Sequence, residues 1–239
     1  MSDKFLLPLS IIVAGLLIGG GFYLKGKQSS VPPPPSNQAS NRGQQLNSEN
    51  LSAALRPIDA NDHVLGSLNS RVIVVEYSDT ECPYCKNFHQ SMIAIMQEYG
   101  KDERVAWVYR HFPIAEIHSR APKEAEAQEC AGEIGGSSKF WEYTNKLYEV
   151  TPSNNELDPN ELVNIATAVG LSSSEFNVCL ESGQYAPRVQ HDIENALELG
   201  ALGTPYSVLV DTKTNEHYPI EGAYPYAQLK QIIDLILQS

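Results

Sequence analysis

From Phe5 to Leu24 the chain carries no charge and is mostly apolar, and from Gly26 to about Asn50 it is rich in Ser, Asn, Gln and Pro. Beyond that point short β-branched runs alternate with stripes of helical period. The first stretch predicts a helix of about 30 Å at ~1.5 Å per residue, enough to cross a bilayer's hydrocarbon core. A cleaved signal peptide is the competing reading, but such peptides carry an apolar region of only roughly 7–15 residues. No Ala-x-Ala site follows directly either, so an uncleaved anchor is expected. Lys4 flanks one side and Lys25 and Lys27 the other, which leaves the orientation open. The second stretch, with its run Pro32-Pro33-Pro34-Pro35, cannot bury a core and favours extended polyproline geometry. The expected organisation is an anchor with its tip over residues 1–25, a linker over 26–55 and a folded domain over 56–239. Turn residues cluster where that domain begins, around Asp59-Ala60-Asn61-Asp62.

Within the domain, Arg71 to Tyr77 is continuous in Val and Ile, as central parallel strands are. A helix from Cys82 to about Tyr99 follows, with Phe88, Met92, Ile95, Met96 and Tyr99 inward and Gly100 at its end. Val105 to Tyr109 is the next strand, completing a βαβ unit. From about His118 to Gly200 the pattern is helical throughout. Lys123 to Glu133 stops at Gly135-Gly136, and Phe140, Trp141, Thr144, Leu147 and Tyr148 mark the next stripe. Asp158-Pro159-Asn160-Glu161 combines a cap, an N1 proline and a capping-box glutamate, and Ser172 with Glu175 forms another box. The last helix of the block, Pro187 to Leu199, would turn Val189, Ile193, Ala196 and Leu197 inward. Strands return at Tyr206–Val210 and Glu216–Ile220 around a hairpin loop, and an amphipathic helix runs from about Tyr226. The order βαβ, helices, ββα defines an α/β class.

Charge narrows the partners. The formal net charge is −12, and residues 51–239 alone carry 13 basic and 27 acidic side chains, net −14. Such a surface repels phosphate backbones and anionic lipid, which argues against nucleic acid as a ligand.

The chemistry centres on Cys82-Pro83-Tyr84-Cys85, at the hand-over from strand to helix. A thiol there faces unpaired N–H groups and the positive end of the helix dipole, both of which favour thiolate. Pro83 suits the first helical position. Half a zinc site is the bland alternative, but the other cysteines, Cys130 and Cys179, are far apart and have no neighbouring His. No metal constellation emerges from the six histidines, and His89 reads as a solvated helix position. Glu76 stands inside a Val/Ile run, where a charge must be paired, neutral or turned to an edge. Cys130 and Cys179 read either as buried free thiols or as a disulfide between two helices.

Taken in order, strand, Cys-Pro-Tyr-Cys, helix, strand, helical insertion, then Gly203-Thr204-Pro205 before a hairpin and a final helix, the chain resembles the DsbA-like branch of the thioredoxin-fold thiol–disulfide oxidoreductases. The likeness covers about residues 62–239. It is most specific over Val74 to Cys85, with support from Tyr109-Arg110-His111-Phe112-Pro113 and Ala125 to Gly132. It implies a thioredoxin fold with an all-helical insertion at about 118–200 that caps the site. It further implies that Cys82 is the exposed, low-pKa nucleophile, Cys85 the buried resolving thiol and Pro205 a cis proline beside them. Pro83, Tyr84 and Thr204 would meet the substrate, and Glu76 would lie beneath the site and shuttle the proton of Cys85. Some relatives pin the insertion with a disulfide, the role expected here of Cys130 and Cys179. No cofactor or metal is implied.

Three functions compete. A membrane-tethered, extracytoplasmic oxidase would pass disulfides to exported proteins and be reoxidised by a membrane quinone-linked thiol oxidase. An isomerase or reductase, kept reduced by a reductase partner, is favoured by Tyr84 and Thr204, which depart from the residues of strong oxidases. Relatives that isomerise usually add a dimerisation domain, however, and residues 26–61 are too short and polar for one, which favours the oxidase as the leading reading; a monomer is expected. A redox-silent chaperone or binding module conflicts with an intact cysteine pair. Cytosolic glutaredoxins share Cys-Pro-Tyr-Cys but not the anchor or the insertion.

Overall fold

The computed structural model describes residues 48–239; the anchor expected at Phe5–Leu24 and most of the linker lie outside them. Among the described residues no helix is long and apolar enough to cross a membrane. A five-stranded sheet of order β1-β3-β2-β4-β5 forms the centre. Its strands are β1 (His63–Leu65), β2 (Val72–Ser78), β3 (Val105–His111), β4 (Tyr206–Asp211) and β5 (Glu216–Glu221). β2 and β3 run parallel in the register Val72↔Val105 to Ser78↔His111, while β4 pairs antiparallel with β2 and β5 with β4. All seven residues of β2 and of β3 are buried. That is why their sequences are continuous in apolar residues: both faces of the inner strands are covered. Pro219 is tolerated in β5 because that strand is an edge.

Helices cover the two faces. α1 (Ser48–Ala54) and α6 (Ala186–Glu198) lie on one, where Leu51, Leu55 and Ala196 meet Ile73, Val75, Tyr77, Ala106 and Val108. α2 (Pro83–Ile95) and α7 (Tyr226–Gln238) lie on the other, with Phe88, Met92, Leu229 and Ile233 against Val72, Val74, Trp107 and Tyr109. α2 continues into a π-helical turn, Met96–Gly100. The insertion, α3 (Ala121–Val150), α4 (Glu161–Ala168) and α5 (Ser173–Ser182), builds its own core from Ala127, Tyr143, Leu147, Ile165 and Phe176.

Several sequence expectations change in detail. The linker does not extend to residue 55, because Leu51 and Leu55 are buried at 1% and 9% exposure and start the domain. β1, which pairs antiparallel with β3 through only His63–Leu65, was not foreseen. The stop expected at Gly135-Gly136 is present within α3: Gly136 takes φ 75° and ψ −176°, non-helical values accessible to glycine, and α3 is two helices joined across this kink. The capping box at Asp158 does not form. Asp158 instead bonds the backbone and side-chain N–H groups of Asn160, both at 2.9 Å, in a turn ahead of α4, whereas Ser172 does cap α5 through the N–H of Glu175. Leu197 is 58% exposed, since Val189, Ile193 and Ala196 already define the inward stripe of α6. α6 does not belong to a cap over the cysteines either, because it packs on the opposite face of the sheet.

Candidate active site

Cys82 is the N-cap of α2, extended at φ −81° and ψ 119°, with Pro83 opening the first turn. This junction forms because Asp79 folds the preceding loop. Its carbonyl accepts from Cys82 N–H at 3.1 Å and its Oδ1 from Glu81 N–H at 2.9 Å. Its Oδ2 accepts from Ile114 N–H and meets His118 Nδ1, each at 2.8 Å. Cys82 is 6% exposed and Cys85 is fully buried, so Cys82 is the more accessible thiol, yet far less open than the exposed position expected of it. Around the thiols, Pro83 and Tyr84 stand out in solvent, Tyr84 at 65% exposure.

The Thr204–Pro205 peptide is cis, and this loop lies directly on Cys82, whose Sγ donates to Thr204 O at 3.4 Å. A thiolate cannot donate, and it would turn to the Thr204 hydroxyl, which is buried and has no other hydrogen-bond partner among the described residues. Hydrogen bonding from Cys85, aided by the backbone N–H groups of the first turn and by Thr204, outweighs burial and brings the Cys82 thiol down to about 6. Burial, followed by the adjacent Cys82 sulfur, pushes the Cys85 thiol well above its ordinary range. The two sulfurs are thus strongly unequal. A cavity of about 310 Å³ lined by Leu202, Thr204, Pro205, Glu221 and Gly222 adjoins this loop. A second, of about 500 Å³, shares Leu202 with it and continues along Phe112, Ile114, Ile193 and Leu197.

Glu76 is fully buried on the face of β2 that carries Val72 and Val74. The indole N–H of Trp107 donates to its Oε2 at 2.8 Å, and Oε1 has no hydrogen-bond partner. Burial lifts its carboxyl to about 7, against the opposing pull of Ser78 and Trp107. His89, expected in solvent, is buried: its ring stacks on Tyr148, its Nε2 meets Asn145 Oδ1 at 2.8 Å, and burial lowers it to about 4, so it is neutral.

Cys130 and Cys179 are joined in a disulfide between α3 and α5, with Cα atoms 5.8 Å apart. They take no part in the dithiol site.

The sequence reading missed the polar groups behind the cysteines. Ser78 lies two residues beyond Glu76 on the same strand, so β-alternation could have placed it on the same face. Tyr148 and Glu124 come from the insertion and gave no local signal. Glu81 and Glu124 are buried together: Thr80 Oγ1 donates to Glu124 Oε2, and Asn155 N–H to Glu81 Oε2, each at 2.5 Å. Burial, and then the Glu81 carboxylate, raises Glu124 to about 9, so at neutral pH it is a carboxylic acid.

Comparison with known proteins agrees with this geometry. The thioredoxin family model matches residues 59–234. Among curated relatives, the Na(+)/H(+) antiporter NhaA 3 of Salinispora tropica is 32% identical over 176 residues, 73% of this chain. An NhaA 1 of Mycolicibacterium vanbaalenii is 32% identical over 154 residues, 63% of this chain. The chain spans only 26% and 24% of the length of these two relatives. Among solved structures, Pseudomonas aeruginosa DsbA2 matches with a TM-score of 0.62 at 25% identity, over 76% of this chain and 97% of that one. Bacillus subtilis BdbD in its oxidised form matches with a TM-score of 0.66 at 22% identity, over 77% and 97%, a likeness of fold.

Proposed function

The chain belongs to the thioredoxin family, in its DsbA-like branch of thiol–disulfide oxidoreductases, and we propose that it introduces disulfides into exported proteins through Cys82 and Cys85. The observation that carries the oxidising direction is the inequality of the two thiols. A hydrogen-bonded Cys82 thiolate stabilises the reduced protein, and a protein whose reduced form is stabilised is an oxidant in its disulfide form. A substrate thiolate attacks Cys82 Sγ, the Cys82–Cys85 bond breaks, and its electron pair leaves on Cys85, which takes a proton from the direction of Glu76. A second substrate thiolate then attacks the substrate sulfur of the mixed disulfide and expels the Cys82 thiolate. The substrate gains a disulfide and the enzyme becomes a dithiol.

Cys82, Cys85, Pro205 and Glu76 carry the reaction in this reading, with Pro83, Tyr84 and Thr204 lining the substrate's approach. The two electrons need an acceptor, and a thiol oxidase linked to membrane quinone would fit a domain tethered by residues 5–24 on the extracytoplasmic side. The domain would act as a monomer. The test is the equilibrium of the Cys82/Cys85 pair with glutathione, together with refolding of a reduced, denatured disulfide protein. A potential between about −270 and −120 mV, above that of thioredoxin, with recovery of native disulfides is expected. A potential at thioredoxin's value with reduction of insulin and no oxidation would favour the reductase reading instead.

A further inference from the structure

Resting on the dithiol reading above, we infer that the Ser78 hydroxyl is the group through which the proton passes between Glu76 and Cys85, and that Tyr148 holds it in place for this. Ser78 ends β2, and its backbone is fixed by Phe112 N–H, which donates to Ser78 O at 2.7 Å. Its side chain lies on the same face of β2 as Glu76, two residues away, and its hydroxyl interacts with both that carboxyl and the Cys85 sulfur. Ser78 Oγ lies 2.8 Å from the Tyr148 hydroxyl, which is itself 3.0 Å from the hydroxyl of Tyr109. All five side chains are 2% exposed or less. Water therefore has no open route to this chain of groups.

The neighbours that could compete for the role are chemically unfit for it. The indole N–H of Trp107 is a donor only. The backbone N–H of Asp79, which faces Cys85 Sγ at 3.4 Å, can stabilise a thiolate but does not surrender its proton. Burial holds the phenols of Tyr109 and Tyr148 protonated, and His89, stacked on Tyr148, is neutral with its Nε2 engaged by Asn145. A hydroxyl can give one proton while taking another. When the Cys82–Cys85 bond opens and its electron pair falls on Cys85 Sγ, Ser78 Oγ–H gives its proton to the sulfur and takes the proton of the Glu76 carboxyl. Cys85 ends as a thiol, Glu76 as a carboxylate and Ser78 unchanged; reoxidation runs the same shift backwards.

The experiment is the rate at which dithiothreitol opens the Cys82–Cys85 disulfide in the full-length protein, by acid quench and alkylation between pH 5 and 9. The rate is divided by the reagent's thiolate fraction. In the native protein this corrected rate should fall as pH rises through about 7, where Glu76 loses its proton. Ser78→Ala should lower it about a hundredfold at pH 6, the low side of general acid catalysis, and abolish the fall. Ser78→Thr should recover most of the loss, and Cys82 should still titrate near 6 in both variants. A Ser78→Ala protein with the native rate and profile overturns the relay. So does one slowed equally at every pH with the fall intact, which is what lost packing alone would give. If instead the native protein's cysteine pair exchanges with neither dithiothreitol nor glutathione, it is the dithiol reading that fails.

Discussion

Among the described residues no cation reaches Glu76; an indole N–H and a hydroxyl are what face it, so burial governs its ionisation. Because its folded value is raised from 4.5 to about 7, the folded protein holds this proton more tightly than the unfolded chain does. Stability from this group is therefore full at low pH and is lost as pH climbs from about 4.5 through about 7, by about 3 kcal/mol in all. Glu76→Gln should flatten the Tm profile across that window and raise Tm at pH 7.5, while slowing disulfide exchange; melts at a series of pH values check it. The inequality of the thiols gives a second expectation. Cys85→Ser should accumulate mixed disulfides with reduced protein on non-reducing gels and Cys82→Ser none, and the reverse pattern would exchange their roles. Glu76 could be singled out in the sequence because a charge inside a β-branched run needs a reason, and Cys82 because it begins a helix. What sequence could not supply was the company these residues keep, since Tyr148 and Trp107 arrive from elsewhere in the chain.

At the scale of elements, the insertion is stapled by one covalent bond. Cys130 and Cys179 are separated by 49 residues, and closing a loop of that length constrains the unfolded chain by roughly 4 kcal/mol on the chain-entropy account. Replacing both with Ala should lower Tm by roughly 10 °C while leaving the Cys82/Cys85 potential nearly unchanged; calorimetry and glutathione equilibria separate the two effects. β2, β3, β4 and α7 were legible because each carries enough residues to establish a period. β1 was not, because three residues cannot show alternation and its place depends on β3. The division of α3 into two helices was legible as well, because paired glycines mark a stop and Gly136 takes a φ of 75° that breaks the helix. Before the break Ala127 and Cys130 pack in the insertion's own core, and just after it Phe140 and Trp141 reach the core under the sheet.

The folded domain is tied by charge across the sheet face that α1 and α6 cover. Arg110, fully buried in β3, bonds Asp62 at 3.0 Å and the Tyr77 hydroxyl at 2.8 Å. Arg56 reaches both Asp62 and Asp192 of α6 at 2.9 Å. The segment leading into β1, two inner strands and α6 are thereby one network. Arg110→Leu would leave Asp62 buried and short of a partner, with an expected loss of about 3–5 kcal/mol in chemical denaturation. Thiol exchange should persist in the folded fraction, because the dithiol lies at the end of the sheet and not on this face.

The bond from Trp107 to Glu76 has an optical consequence. The chain has two tryptophans, and the rings of Trp107 and Trp141 lie 4.7 Å apart, so all indole emission comes from the neighbourhood of Glu76. A carboxylate and a carboxylic acid hydrogen-bonded to an indole N–H shift its excited state differently. Emission excited at the red edge should therefore titrate near pH 7 and lose that inflection in Trp107→Phe, which makes the protein its own fluorescent indicator of the Glu76 proton.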